Sequence, residues 1–479
     1  MHWLNVLTAL IFAILLGKHV AWIVCPYWAK FMPKIWETAV HCVKKAKEVN
    51  KDEHSWHNMF FSFVVAVLHR ALISRRISHN EKDRFLVDEQ NVQPVEKQVL
   101  VDLLEWAKFA DWAYPFDKNY SNLEDCLNQQ GYSLHSHVKD AQPGRVAHYV
   151  AINHTEKIIL IVPRGSWSTS DIVTNLAGLP VDQQLEQRAD DVRLRRIWPH
   201  EGFLTAATAL AEEYTEFIES TMLQNDDYNL QIVGHSLGAA VACLLGIILR
   251  SRLPMLKEPT RLQIFAYAPP PCLNDEASEA VAPFVTSIVW NEDVVPTLSV
   301  RNFVSTCKVL AHLNGREKEV YKQFPLPRAL FSAVTSLLGF QTISEHRLDD
   351  IQADALEYLK TKHHEQQQQQ DQQKSSDMSP ELFVPGKVIY LWERVHKNVP
   401  TGYINGVTAQ GSTFRHLAFV VPTTKSVGNH FLASYKEGMQ RFLDQADSDD
   451  YKECRQSLVL QHRNSLTTPL TYDMERLGG

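Results

Sequence analysis

The sequence predicts an α/β fold with a mostly parallel central sheet covered by helices, and three observations predict it. From about residue 80 onward, short apolar runs bounded by turn residues alternate with stretches of helical composition and spacing. Some of those runs, Ile158 to Val162 among them, are apolar at every position, as a strand buried on both faces requires. Finally, a serine stands between two glycines in Gly234-His235-Ser236-Leu237-Gly238, with a strand-like run directly before it and a helix-forming run directly after.

Composition bounds the function classes. A chain of 479 residues with 45% hydrophobic and 22% charged content can bury one large core or two ordinary ones. The net charge of -7 and the lack of a long basic stripe exclude the electrostatic footprint of a nucleic-acid binder. Cys25, Cys42, Cys126, Cys243, Cys272, Cys307 and Cys454 are scattered without metal-ligand spacing, so neither a metal site nor a disulfide framework is signalled, and a reducing compartment is slightly favoured. Glycosylation sequons begin at Asn119 and Asn153, but so short a pattern does not fix the compartment, and the second falls in an expected strand.

Taken in order, residues 1–78 read as a membrane-associated region. Trp3 to Leu16 is nearly all apolar and Val20 to Cys25 resumes after Gly17-Lys18-His19, against the roughly 20 apolar residues that spanning needs. Basic residues follow this stretch (Lys18, Lys30, Lys34, Lys44, Lys45, Lys47) instead of preceding it. That order favours a retained anchor over residues 3–25 with the following chain in the cytosol; a cleaved secretory signal and a buried helix are the alternatives. Met59 to Leu68 is too short to span and runs into Arg70, Arg75 and Arg76, so residues 59–74 read as an interfacial helix with a basic rim or as a packed helix.

The main domain is expected over residues 79–312 and 380–447. Its strand candidates are Val146 to Asn153, Lys157 to Pro163, Asn229 to Val233, Arg261 to Ala268, Phe284 to Trp290, Lys387 to Trp392 and Phe414 to Val421, with helices over Gly202 to Met222 and Gly238 to Arg250. Residues 313–379 break this rhythm with a glutamine tract and read as a low-complexity insertion; 448–479 read as a polar tail.

The chemistry centres on Ser236. A strand, a sharp turn flanked by glycines and a helix form the context that exposes a nucleophilic serine at the carboxyl end of a strand; the bland alternative is a helix-capping serine. A serine hydroxyl needs a histidine to take its proton and an acid to orient that histidine. Asp293 is the candidate acid because it follows the strand Phe284 to Trp290 at the same sheet edge, with Glu292 as rival. His430, after the last expected strand and at the start of the last helix, is the candidate base. His416, inside that strand, is its rival, and His235 is too close to the serine to serve and is expected to line the site. The oxyanion that forms needs two donors. The backbone N–H of Leu237 is one, and Ser166 in Pro163-Arg-Gly-Ser-Trp167 is the candidate for the other, the alternative being an ordinary turn.

These segments together resemble the class 3 lipases, and within them the sn-1-specific diacylglycerol lipases. The resemblance runs through Arg145 to Ile152, Arg164-Gly-Ser166, Asp171 to Leu176, His200-Glu-Gly-Phe203, Gly234 to Gly238, Phe265 to Pro270, Ser287 to Pro296, Pro385-Gly386, and His430 with Tyr435. It implies an α/β-hydrolase fold and hydrolysis of a fatty-acyl ester by Ser236, Asp293 and His430, with Ser166 and Leu237 as oxyanion hole. It also implies a lipid substrate, a membrane surface as partner and a lid over Trp167 to Pro180. No cofactor and no obligatory metal are expected. Phospholipase A1 or galactolipase activity is the nearest alternative; a catalytically silent membrane scaffold is the alternative of another class.

Overall fold

The structure is a computed structural model. It describes residues 93–114, 123–142, 144–165, 180–184, 191–225, 227–258, 260–299, 302, 381–396, 399–411, 417 and 424–446. The expected anchor, interfacial helix, glutamine-rich insertion and polar tail lie outside these residues, as do Ser166, His416, the Asn119 sequon and all of the expected lid except Pro180. Among the described residues no helix is long and apolar enough to cross a membrane.

In chain order the elements are β1 (Gln93–Pro94), α1 (Lys97–Trp112), α2 (Leu123–Gln129), β2 (Ser133–Val138), β3 (His148–Asn153), β4 (Ile158–Pro163), β5 (Gln183–Gln184), β6 (Arg196–Ile197), α3 (Glu201–Gln224), β7 (Asn229–His235), α4 (Leu237–Arg252), β8 (Leu262–Tyr267), α5 (Asp275–Ala280), β9 (Val285–Trp290), β10 (Lys387–His396), β11 (Val399–Gln410), α6 (Thr424–Gly428) and α7 (Leu432–Ala446). Nine strands form one sheet in the order β1-β11-β10-β9-β8-β7-β4-β3-β2. Strands β4, β7, β8, β9 and β10 pair in parallel, and antiparallel strands close both flanks. This is the expected α/β architecture with a mostly parallel sheet.

Strand alternation splits the core into two. On β3 and β4, Val150, Ile152, Ile159 and Ile161 face α3 and α4, while Tyr149, Ala151, Leu160 and Val162 face α1 and α7. Helix α3 meets its side with Phe203, Ala207, Leu210, Ala211, Tyr214 and Ile218, a stripe at three- and four-residue spacing. Helix α4 is buried on almost every side, as its apolar run demands, and only its last turn carries charge, Arg250 and Arg252, where cations suit the helix dipole. On the other face α1 buries Leu100, Leu103, Ala107 and Ala110, and α7 buries Leu432, Tyr435, Met439 and Phe442. Phenols bolt α1 to the sheet: Tyr149 donates to the Phe109 carbonyl at 2.7 Å, and Tyr267 donates to that of Leu103.

The expected strands from Val146 to Trp392 are found with ends shifted by a few residues. The strand expected at Phe414 to Val421 lies outside the described residues except for Leu417, and the strand beside β10 is β11. The sequence of β11 hides its period, since Pro400, Gly402 and Asn405 interrupt it; among its described side chains Ile404, Val407 and Ala409 make the apolar contacts. Strand β2 likewise carries no legible apolar period, because its alternation of exposed and half-buried positions is built on serine and histidine. Asn153 is a structural residue: its side chain accepts from the backbone N–H groups of Thr155 and Glu156 and donates to the Gln130 carbonyl.

Candidate active site

The parallel strands all deliver their carboxyl ends to one edge, where loops in such sheets collect functional groups. Three consecutive strands there end in a non-glycine residue with left-handed backbone: Ser236 after β7 (φ 60°), Ala268 after β8 (φ 52°) and Asn291 after β9 (φ 49°). Such residues cost about 1–3 kcal/mol each and persist where the surroundings over-determine them.

At Ser236 the surroundings are visible atom by atom. A Cβ on Gly234 would collide with the Gly238 carbonyl, and a Cβ on Gly238 would collide with the Pro163 carbonyl at the end of β4. Both flanking positions therefore have to be glycine for the chain to turn within van der Waals contact of the neighbouring strand. The Ser236 amide donates to Tyr267 O at 2.8 Å, fixing the elbow to β8.

The expected acid and base are brought to this serine. His430 Nε2 lies 2.9 Å from Ser236 Oγ, and His430 Nδ1 lies 3.1 and 3.0 Å from the two Asp293 carboxylate oxygens. Because the carboxylate can only accept, Nδ1 carries the ring hydrogen and Nε2 is left to accept from the serine hydroxyl. All three side chains are buried. The Asp293 oxygens also accept from the Tyr435 hydroxyl at 2.6 Å and the Val295 amide at 2.9 Å. Burial and the adjacent carboxylate push the Tyr435 phenol well above its ordinary value, so it stays a donor.

Asp293, not Glu292, is the buried member of the pair, though strand alternation is not the reason. The choice is made in a turn: Asn291 adopts its left-handed backbone, its side-chain oxygen accepts from Glu393 N at 2.8 Å, and the Asp293 amide closes back on Trp290 O at 3.0 Å. Asparagine tolerates this conformation better than most residues. His430 sits between α6 and α7, its amide donating to Val427 O at 3.2 Å. Leu237, the first residue of α4, presents its amide where the first turn of a helix has no intrahelical acceptor. Gly165, which leads to Ser166, packs on the elbow so closely that a Cβ there would meet the His235 carbonyl at 2.6 Å.

His235 is buried beside the triad, its ring stacked on His430 at a centroid distance of 4.8 Å. Its Nδ1 lies 2.8 Å from the Tyr114 hydroxyl and its Nε2 lies 2.9 Å from the His430 carbonyl oxygen. Burial, followed by the nearby His430, brings its pKa down to about 3, so the ring is neutral at physiological pH. Tyr114, Asn291 and the acid-holding role of Tyr435 were not read from the sequence. Tyr435 stood within the family resemblance at five residues beyond His430; Tyr114 has no local signal at all. Among the described residues no group of three or more His, Cys, Asp or Glu side chains gathers as a metal site.

A parallel sheet with a strained serine at its edge, hydrogen-bonded through a histidine to a buried aspartate, is the arrangement of the α/β-hydrolase fold. The family model for class 3 lipases matches residues 160–303. The chain is similar to diacylglycerol lipase-alpha of Rattus norvegicus, 28% identical over 256 residues, covering 51% of this chain and 22% of that protein. It is also similar to the secreted mono- and diacylglycerol lipase A of Penicillium cyclopium, 30% identical over 142 residues, covering 29% of this chain and 41% of that one. The solved Rhizomucor miehei lipase propeptide complex overlaps 71% of this chain and 82% of its own at 16% identity, with a TM-score of 0.41. The chain thus spans less than half the length of these two curated relatives.

Proposed function

We propose that the protein hydrolyses a fatty-acyl ester of a glycerolipid, diacylglycerol foremost, through an acyl-serine intermediate at a membrane surface. The observation that carries the reading is the continuous hydrogen-bond chain from Ser236 Oγ through His430 to Asp293, buried throughout. The names of the relatives support the substrate class, and the apolar stretch over residues 3–25 supports a location at a membrane, with the catalytic domain on its cytosolic side.

In the first half-reaction Ser236 Oγ attacks the ester carbonyl carbon while His430 Nε2 takes the hydroxyl proton. Asp293 stays ionised and stabilises the imidazolium, and Tyr435 and Val295 N–H hold the carboxylate in place. The oxyanion is met by the Leu237 N–H and by a donor from the loop that follows Gly165, for which Ser166 is the candidate. Collapse breaks the ester bond, and His430 returns its proton to the departing glycerolipid oxygen. Water, deprotonated by the same nitrogen, then attacks the acyl-serine; the fatty acid leaves and the serine hydroxyl is restored.

The test is fatty-acid release from diacylglycerol, triacylglycerol and phospholipid in mixed micelles, comparing the intact protein with Ser236→Ala. Release should fall by about four orders of magnitude or more in the variant, with diacylglycerol ranked first in the parent. Preference for phospholipid would reassign the head group. No release from any lipid by a folded parent protein would overturn the enzyme reading and leave a scaffold.

A further inference from the structure

We infer that Tyr114 and His235 form a positioning relay that fixes the spacing between the oxyanion loop, the serine elbow and the loop carrying His430; this rests on the hydrolase reading above. Each ring in the relay uses its polar atoms on backbone groups or on the other ring. The Tyr114 hydroxyl packs against Gly165, the residue before Ser166, so closely that a Cβ there would overlap it, and it faces His235 Nδ1 at 2.8 Å. On the far side His235 Nε2 faces the His430 carbonyl oxygen at 2.9 Å. A carbonyl oxygen only accepts, so Nε2 must carry the hydrogen; Nδ1 is then an acceptor, and the Tyr114 hydroxyl must be the donor. The direction of both bonds from Tyr114 to His430 is thereby set.

The geometry has two consequences for the reaction. His430 Nε2 can meet Ser236 Oγ only while the His430 backbone is held at the right height, and the His235 bond grips that backbone at its carbonyl. Burial keeps His235 neutral, so the ring stacked on His430 adds no positive charge beside the imidazolium that forms there. Tyr114 itself is well anchored. It follows α1, its amide bonds to Asp111 O at 3.1 Å, and Asp111 pairs with Lys436 of α7 at 2.5 Å. The relay thus runs from a helix fixed to the sheet, across the elbow, to the loop that carries His430.

The test uses the full chain and a soluble ester, p-nitrophenyl butyrate, so that binding to a lipid surface does not enter. Tyr114→Phe removes one oxygen and is expected to lower kcat by about tenfold with KM unchanged, since a misplaced catalytic group costs rate and not substrate affinity. His235→Leu should lower kcat at least as far. His235→Gln, which can still place an N–H near the His430 carbonyl, should recover part of the loss. Melting curves confirm that each variant is folded; should His235→Leu fail to fold, Tyr114→Phe carries the test. A Tyr114→Phe kcat within about threefold of the parent, or His235→Gln no better than a folded His235→Leu, overturns the relay. Failure of the hydrolase reading looks different: the parent protein itself would neither turn over the ester nor take a fluorophosphonate label that Ser236→Ala lacks, and the relay would fall with it.

Discussion

Ser236 and His430 meet at 2.9 Å, yet the chain holds them by different means. At the serine, local stereochemistry decides: a positive φ, two glycines that no other residue could replace, and a helix that starts at the next residue. At the histidine, nothing local is strained. Its loop is placed by contacts from elsewhere, the Asp293 carboxylate on one ring nitrogen, Ser236 on the other and His235 on its carbonyl. A site assembled from one rigid and one borrowed position should respond to substitution very unevenly along its backbone.

The largest effect should come at the rigid position. In Gly238→Ala the new methyl group would overlap the Pro163 carbonyl and come within 2.9 Å of the Arg164 and Gly165 backbone, none of which is a flexible side chain. Either β4 or the elbow must move, at a cost of about 4 kcal/mol or more, the range of severe overpacking and strain. Soluble yield and melting temperature should collapse together; a variant that melts within a few degrees of the parent would show that the elbow is looser than its contacts imply.

A smaller effect is expected from His235, as a pH dependence of stability. The groups facing its ring are Tyr114, His430 and Tyr435. Its folded pKa of about 3 lies below the ordinary histidine value of 6.5, so between those limits the unfolded chain binds the extra proton. Stability should therefore fall as pH drops below about 6.5 and level off near 3, by about 2 kcal/mol between pH 6.5 and 5 at the usual 1.4 kcal/mol per unit. His148, buried with a lowered pKa, shifts stability the same way. Urea unfolding of the parent and His235→Gln at pH 7 and pH 5 isolates the difference; equal slopes in the two proteins would contradict a buried neutral His235.

The same contrast explains what the sequence made legible. Where a position is dictated by its neighbours in the chain, as at Gly234 to Gly238 or in the unbroken apolar run of β4, pattern and structure agree. Asp293 lies at the expected edge of the expected strand, yet the turn through Asn291, not strand alternation, buries it. Residues whose role exists only across the fold left no trace. Tyr114 lies 121 positions from the histidine it bonds, and β11 takes its register from β10 in spite of its own proline and glycines. His235 was visible as a residue near the site, but its partner, and hence its purpose, was not.

The mildest prediction lies at the borrowed position and sharpens the contrast most. Gly428 precedes His430 by two residues, as Gly234 precedes Ser236, yet a Cβ built on it meets no described atom within 4 Å, and its φ lies outside the left-handed range. Its carbonyl accepts from the Ser434 hydroxyl at 3.1 Å, a bond that a methyl group on Cα leaves untouched. Gly428→Ala closes α6 without strain and removes backbone freedom from the unfolded chain, which stabilises by about 0.4–1 kcal/mol. The variant should melt slightly higher than the parent and keep its turnover within about twofold. A marked loss of turnover with the melting temperature unchanged would mean that the histidine loop needs its glycine to move during the reaction, and the two halves of the site would then differ in mobility as well as in how they are held.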